Sequence, residues 1–302
     1  MSNENNRESV TLTVRWTDFA SKNLDARIAE LKRRDQPIKM EPVVEGIQFL
    51  RGVGSRASLV LPMFYTLAGA TTKVRDPAEQ PPWKPTQAAS FEFSALQTIS
   101  LICRAVFDDS RKGLTGKRLA NASDETLDGI AQHWSQKSKR PIEEASNALK
   151  LLRDLFQQCA QPRKTLLVSE SLLERRVGLL KYHADRQAAH ISLEPFLFGL
   201  IDIVHVVAAI TIVGSIIVDF DQPQLSASYF DEIDKASWSA AKATFPDMAI
   251  ERLFLRFDIH QQAKNYWKFP GHQGLRMLLS QLPSAIGYWD SQDEAVEAQT
   301  GY

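Results

Sequence analysis

Hydrophobic residues recur at intervals of three and four positions along most of this chain, a spacing that puts them on one face of an α-helix. Two serines, Ser123 and Ser171, stand where such patterns begin and are typical N-cap residues. The pattern predicts helices near residues 91–108, 123–136, 141–159, 171–190, 196–218, 229–244, 248–266 and 273–287. We therefore expect an all-α protein.

Strict alternation of apolar and polar residues occurs near the N-terminus, where Val10, Leu12, Val14 and Trp16 are separated by polar side chains. A period of two is typical of a β-strand. We therefore predict one short strand at residues 10–16, which needs a pairing partner in this chain or in another.

A proline-rich stretch at residues 76–85 is the clearest linker in the sequence. It predicts three parts: an N-terminal segment at 1–85 with the strand and helices, a helical bundle at 86–222, and a C-terminal helical extension at 223–302. Within the first part, residues 42–70 are apolar. Glycines and Pro62 interrupt them, so we expect two short helices broken near Gly52 and again at Pro62.

The most apolar run, residues 196–218, predicts a buried core helix rather than a membrane span. Its uncharged core, Val206 to Val218, has 13 residues, fewer than the roughly 20 that cross a bilayer. Asp202 and His205 lie within the run, and we expect them to hydrogen-bond to each other or to the preceding helix. The N-terminus has no apolar signal region. We expect a cytoplasmic protein that does not enter a membrane.

Composition excludes several classes of function. Lys+Arg and Asp+Glu are both 36, which disfavours a non-specific polyanion binder but leaves room for a local RNA site. The two cysteines are too few for a disulfide framework or a cysteine-based zinc site. Glycine motifs of nucleotide-driven motors and of dinucleotide-binding enzymes are missing, as is the G-x-S-x-G motif of α/β-hydrolases. We expect no cofactor and no metal.

The helix predicted at 171–190 is the best candidate for chemistry. On a regular helix, His183, Arg186 and His190 form a second stripe beside an apolar core stripe and lie on one face in successive turns. A neutral imidazole can take the proton of an RNA 2′-hydroxyl. A guanidinium can stabilise the charge that develops on the phosphate. These residues suit the cleavage of RNA without a metal ion, although such residues on the flank of a helix commonly form a solvated or interface face.

This helix also resembles a known family. LLKYHADRQAAHISLEPF, residues 179–196, resembles the signature helix of HEPN-superfamily proteins, and more narrowly of the abortive-infection AbiU-like branch. The stretch ISLICRAVFDDSRKGLTGKRL, residues 99–119, resembles the helix that precedes it in those proteins. The resemblance covers roughly residues 90–222.

The resemblance implies a HEPN-like bundle of four to five helices, here with extra N- and C-terminal helical segments. It implies a homodimer, formed through the signature helix or through the apolar helix at 196–218. It further implies a metal-independent endoribonuclease or RNA-binding protein, in a toxin–antitoxin or phage-defence setting, with RNA and an antitoxin or other protein as partners. The family's histidine corresponds to His190.

The chain departs from the family at the arginine. The family's arginine precedes the histidine with four to six residues between them, and Arg186 stands one residue too close. Because one residue rotates a side chain by about 100° on a helix, three alternatives remain. Arg186 acts through a changed helix geometry, His183 replaces the arginine, or catalysis is lost. In the last case the protein is a non-catalytic helical interaction module that keeps the HEPN scaffold and binds a protein or RNA.

Overall fold

The computed structural model describes residues 41–71, 84–110, 115–185, 199–225 and 229–248, with six isolated positions besides: Ala26, Ile28, Ala29, Ile250, Arg252 and Leu253. Within these residues all regular secondary structure is helical, which confirms the all-α class. The HEPN-like arrangement stays a prediction. The strand predicted at 10–16 and the helix predicted at 273–287 lie outside the described residues, as does most of the helix predicted at 248–266.

The described helices begin and end close to the predicted positions in most cases. They are α1 (Pro42–Thr71), α2 (Lys84–Val106), α3 (Gly116–Ala120), α4 (Asp124–Ser138), α5 (Ile142–Cys159), α6 (Arg163–Leu167), α7 (Leu172–His183), α8 (Leu200–Asp221) and α9 (Tyr229–Thr244). Ser123 caps α4 by accepting the N–H of Thr126, and Ser171 caps α7 by accepting the N–H of Glu174. Both caps confirm the predicted helix starts.

Helix α1 corrects one prediction, because a single helix spans Pro42–Thr71 with Pro62 inside it. A proline within a helix removes one backbone hydrogen bond and costs about 3 kcal/mol. Phe64 and Tyr65, one turn further on, are fully buried. Burying large side chains of this kind contributes roughly 1.5–3 kcal/mol each, which offsets that cost. Tertiary packing therefore keeps α1 helical at both predicted breaks, Gly52 and Pro62.

The apolar helix α8 lies at the centre of the packing. It contacts α1, α2, α4 and α7. By length and composition α8 could cross a membrane, but 94% of its apolar window is buried within the protein. That burial is typical of the core helix of a soluble protein, as the sequence predicts. It also leaves α8 little surface for the dimer contact that was expected there, and the homodimer stays a prediction.

The chain divides into two compact units, residues 1–40 and 41–302. Of the first, the structure describes only Ala26, Ile28 and Ala29, which are helical. The second contains α1 to α9, with α1 packed on both α2 and α8. The predicted domain boundary, between residues 85 and 86, falls in the first turn of α2, which packs against α1.

Candidate functional site

Helix α7 packs through the apolar stripe that the sequence predicts. Leu173, Val177, Leu180 and Ala184 are all buried, and α7 lies against α2, α6 and α8. The other polar side chains of α7 that are buried or partly buried lie between α7 and these neighbours. They need hydrogen-bond partners there, because a buried polar group without a hydrogen bond costs free energy.

His183 lies in one of these gaps, between α7 and α2. Its side chain is buried, and Nδ1 is 2.8 Å from Oγ of Ser100 in α2. Burial lowers the pKa of His183 below its ordinary value, so the ring is neutral at neutral pH. A neutral imidazole has the right protonation state for a general base, but a buried one does not contact RNA. A catalytic role for His183 stays a prediction that this burial disfavours.

Arg176 occupies the gap between α7 and α8. Its Nε donates to Oδ1 of Asp202 at 2.8 Å, and its Nη1 is 2.9 Å from Nδ1 of His205. Asp202 also accepts the backbone N–H of Gly199 at 3.1 Å and so holds the start of α8. The prediction that Asp202 and His205 bond to the preceding helix is confirmed, and the bridging residue is Arg176.

The contact with Arg176 fixes the tautomer of His205. A guanidinium only donates hydrogen bonds, so Nδ1 of His205 must accept and the ring proton must sit on Nε2. Nε2 is buried and has no hydrogen-bond partner among the described residues. Burial and, to a lesser extent, the Arg176 charge lower the pKa of His205 to about 4. This imidazole is therefore a neutral structural group and not a proton shuttle.

Lys181 is a buried cation on α7 whose three donors are all used. Nζ donates to the carbonyl of Phe107 at 3.1 Å, to Oδ1 of Asp109 at 2.7 Å and to the carbonyl of Gln161 at 2.7 Å. One side chain thereby ties α7 to the segments that follow α2 and α5. Three acceptors match the three N–H groups of an ammonium, so Lys181 is fully satisfied.

The described part of α7 ends in a π-helical turn at Ala184 and Asp185. Asp185 is held by two arginines, since Arg104 of α2 pairs with Oδ1 and Nη1 of Arg163 is 3.2 Å from Oδ2. The guanidinium of Arg163 also lies over the ring of Tyr182, 5.3 Å from its centre. These two cations and one carboxylate together carry one net positive charge. We name Asp185, Arg104, Arg163 and Tyr182 the arginine clamp.

The other two predicted site residues, Arg186 and His190, lie outside the described residues. The stacking predicted for His183, Arg186 and His190 depends on the geometry of the chain after Asp185. It therefore stays a prediction, as do the roles of Arg186 and His190.

Sequence reasoning missed the two arginines of the clamp. Arg104 lies 81 residues before Asp185 and Arg163 lies 22 residues before it, and the helical spacing of α7 indicates neither contact. A scan against protein-family models, a search of curated proteins and a search of solved structures each found no match to this chain.

Among the described residues no group of three or more His, Cys, Asp or Glu side chains is placed to hold a metal ion.

Proposed function

We propose that the protein acts on RNA at the end of α7, as a HEPN-type metal-independent endoribonuclease in which His190 is the general acid or base. The observation that carries the proposal is the arginine clamp. Arg104 and Arg163 converge on Asp185, and Arg186 is the next residue in the sequence. Two arginines that converge on one carboxylate are an attractive site for a phosphodiester, because the guanidinium binds phosphate oxygens in a bidentate fork.

The two arginines of the clamp are exposed enough to contact a phosphate group. The Arg104 side chain is 43% exposed and that of Arg163 is 27% exposed. Asp185 uses only part of the donor set of each arginine, since a guanidinium has five N–H groups. In this proposal Asp185 positions the two arginines, the arginines bind the phosphate, and His190 moves the proton.

A second candidate is the non-catalytic interaction module, and the contacts of α7 favour it. His183 is hydrogen-bonded under α2, and Arg176 is committed to Asp202 and His205. These polar side chains of α7, which would otherwise be available to line a catalytic surface, bind α7 to α2 and α8. In this form the protein keeps the scaffold and acts by binding an antitoxin, another protein or RNA.

The deciding experiment is incubation of the purified protein with total RNA in EDTA. We expect wild type to cleave and His190→Ala to lose 100-fold or more in rate, on the order expected for general acid–base catalysis. Arg104→Ala should weaken cleavage, since it removes a charge-assisted phosphate contact. The matched control is Arg175→Ala, an exposed arginine of α7 outside the clamp, which should cleave like wild type.

Three results separate the candidates. Loss of cleavage in His190→Ala with retention in Arg175→Ala supports the nuclease. RNA binding without cleavage, weakened by Arg104→Ala and unaffected by His190→Ala, refutes the nuclease and supports an RNA-binding module. Neither binding nor cleavage refutes both RNA proposals and leaves a protein partner.

A further inference from the structure

A pocket of about 520 Å³ lies where the first turns of α1 and α4 meet α3. That volume is in the range of small-molecule sites in proteins. One wall is apolar and includes Pro42, Phe49 and Leu119. Phe49 packs edge-on against Phe156 of α5, with ring centroids 5.5 Å apart, which holds this wall in place.

Cationic side chains also line the pocket. They are Lys117 and Arg118 of α3, and Glu45 of α1 is the single acidic residue among the described residues of the lining. Glu45 pairs with Arg118, so this carboxylate is already neutralised. The Lys117 ammonium has no hydrogen-bond or ion-pair partner among the residues that the structure describes. The described residues of the lining therefore carry one net positive charge, at Lys117.

Hydroxyl groups complete the polar side. Ser123 and Thr126 line the pocket at the start of α4, and their hydroxyl oxygens are 3.0 Å apart. Ser123 Oγ also accepts the N–H of Thr126 as the helix cap, which fixes its position. The polar side thus offers an ammonium, a guanidinium and hydroxyls beside one neutralised carboxylate. The ammonium and the guanidinium only donate hydrogen bonds, which suits a group with several anionic oxygens.

We propose that this pocket binds a small phosphate monoester, with its phosphate at Lys117, Arg118 and Ser123 and its organic body against Phe49. A phosphate monoester presents more acceptor oxygens than a carboxylate, so it can accept hydrogen bonds from the ammonium, the guanidinium and the hydroxyl together. The proposal rests on the pocket alone and does not depend on RNA cleavage, so either can fail without the other.

The test is isothermal titration of the full chain with phenyl phosphate, compared with phenol, benzoate and inorganic phosphate. We expect phenyl phosphate to bind most tightly, inorganic phosphate more weakly, and phenol not at all. Equal binding of phenol shows that the pocket recognises only the ring and overturns the proposal. Tighter binding of benzoate overturns the choice of phosphate. No heat from phenyl phosphate at millimolar concentrations overturns the site itself.

Two variants locate the binding. Lys117→Met removes the unpaired ammonium, and we expect phenyl phosphate to bind about tenfold more weakly or worse. Ser123→Asp keeps a good N-cap residue but places a negative charge in the pocket, so it should abolish binding and leave the melting temperature of the free protein unchanged. The control is Lys150→Met, an exposed lysine of α5 outside the pocket, which should bind like wild type. Wild-type affinity in both Lys117→Met and Ser123→Asp would place the ligand elsewhere and refute the proposal.

Discussion

The buried His205 makes a specific prediction about stability in acid. Its pKa is lowered from the ordinary value of 6.5 to about 4 by burial and by Arg176. When the pH falls below 6.5, the unfolded chain takes up a proton at this position and the folded protein does not. The contribution of His205 is therefore present above pH 6.5 and is lost as the pH falls towards 4.

The size of the loss follows from the shift. Each unit of pKa difference corresponds to about 1.4 kcal/mol, so the free energy of unfolding should fall by about 3 kcal/mol from this residue alone between pH 7 and pH 4. Part of this loss comes from the charge of Arg176, whose Nη1 is 2.9 Å from Nδ1 of His205.

Urea unfolding at a series of pH values measures this effect, with His205→Asn as the key variant. Asparagine does not titrate, and its side-chain oxygen can accept the Arg176 hydrogen bond. The variant should be less stable than wild type at pH 7 and should lose about 3 kcal/mol less on acidification. Carboxylates titrate in both proteins, so the difference between the two curves isolates His205.

The control is Ser215→Ala on the same helix. It removes a buried hydroxyl that has no hydrogen-bond partner among the described residues, so it can shift the whole stability curve but not its slope with pH. Parallel curves for wild type and His205→Asn would refute the argument, because His205 would then not be a buried neutral group.

Three further predictions concern other buried groups. Lys181→Met leaves three acceptors without a donor and should lower the free energy of unfolding by roughly 3 kcal/mol, measured with urea; an effect below 1 kcal/mol would mean that water replaces the ammonium. Tyr65→Phe removes the hydroxyl that donates to Asp234 and should cost about 1–3 kcal/mol by the same assay, and unchanged stability would contradict that bond. The thiols of Cys103 and Cys159 are fully buried, and burial raises the pKa of Cys103 to about 12, so an aromatic disulfide reagent should modify both only after unfolding. Fast modification of the native protein would show that the helices around them open.

The predictions that held depend on neighbours in sequence. Ser123 and Ser171 mark helix starts because an N-cap acts within three residues of itself. The apolar stripe of α7 is buried because helical periodicity fixes which side chains share a face. These signals are local, so they can be recognised in a single sequence.

The predictions that failed depend on residues far away in sequence. The break at Pro62 was wrong because the packing of Phe64 and Tyr65 outweighs the lost backbone bond. The second stripe of α7 left an open catalytic face and an interface face as alternatives, and Ser100 of α2 meets His183 there. Periodicity predicts that two residues share a face but not what covers that face. Lys117 and Ser123 line the same pocket as Glu45 only in the folded chain. The spacing of these residues in the sequence therefore does not indicate the pocket.

The position of α8 late in the sequence affects how the chain is synthesised. Arg51 on α1 and Asp221 at the end of α8 are joined by an ion pair across 170 residues. A ribosome needs on the order of 10–30 s to make that length. During this time α2 to α7 are made in turn, but the face of α1 that packs against α8 has no partner. A nascent chain that has not yet reached residue 200 therefore exposes that face of α1 to chaperones and to neighbouring chains.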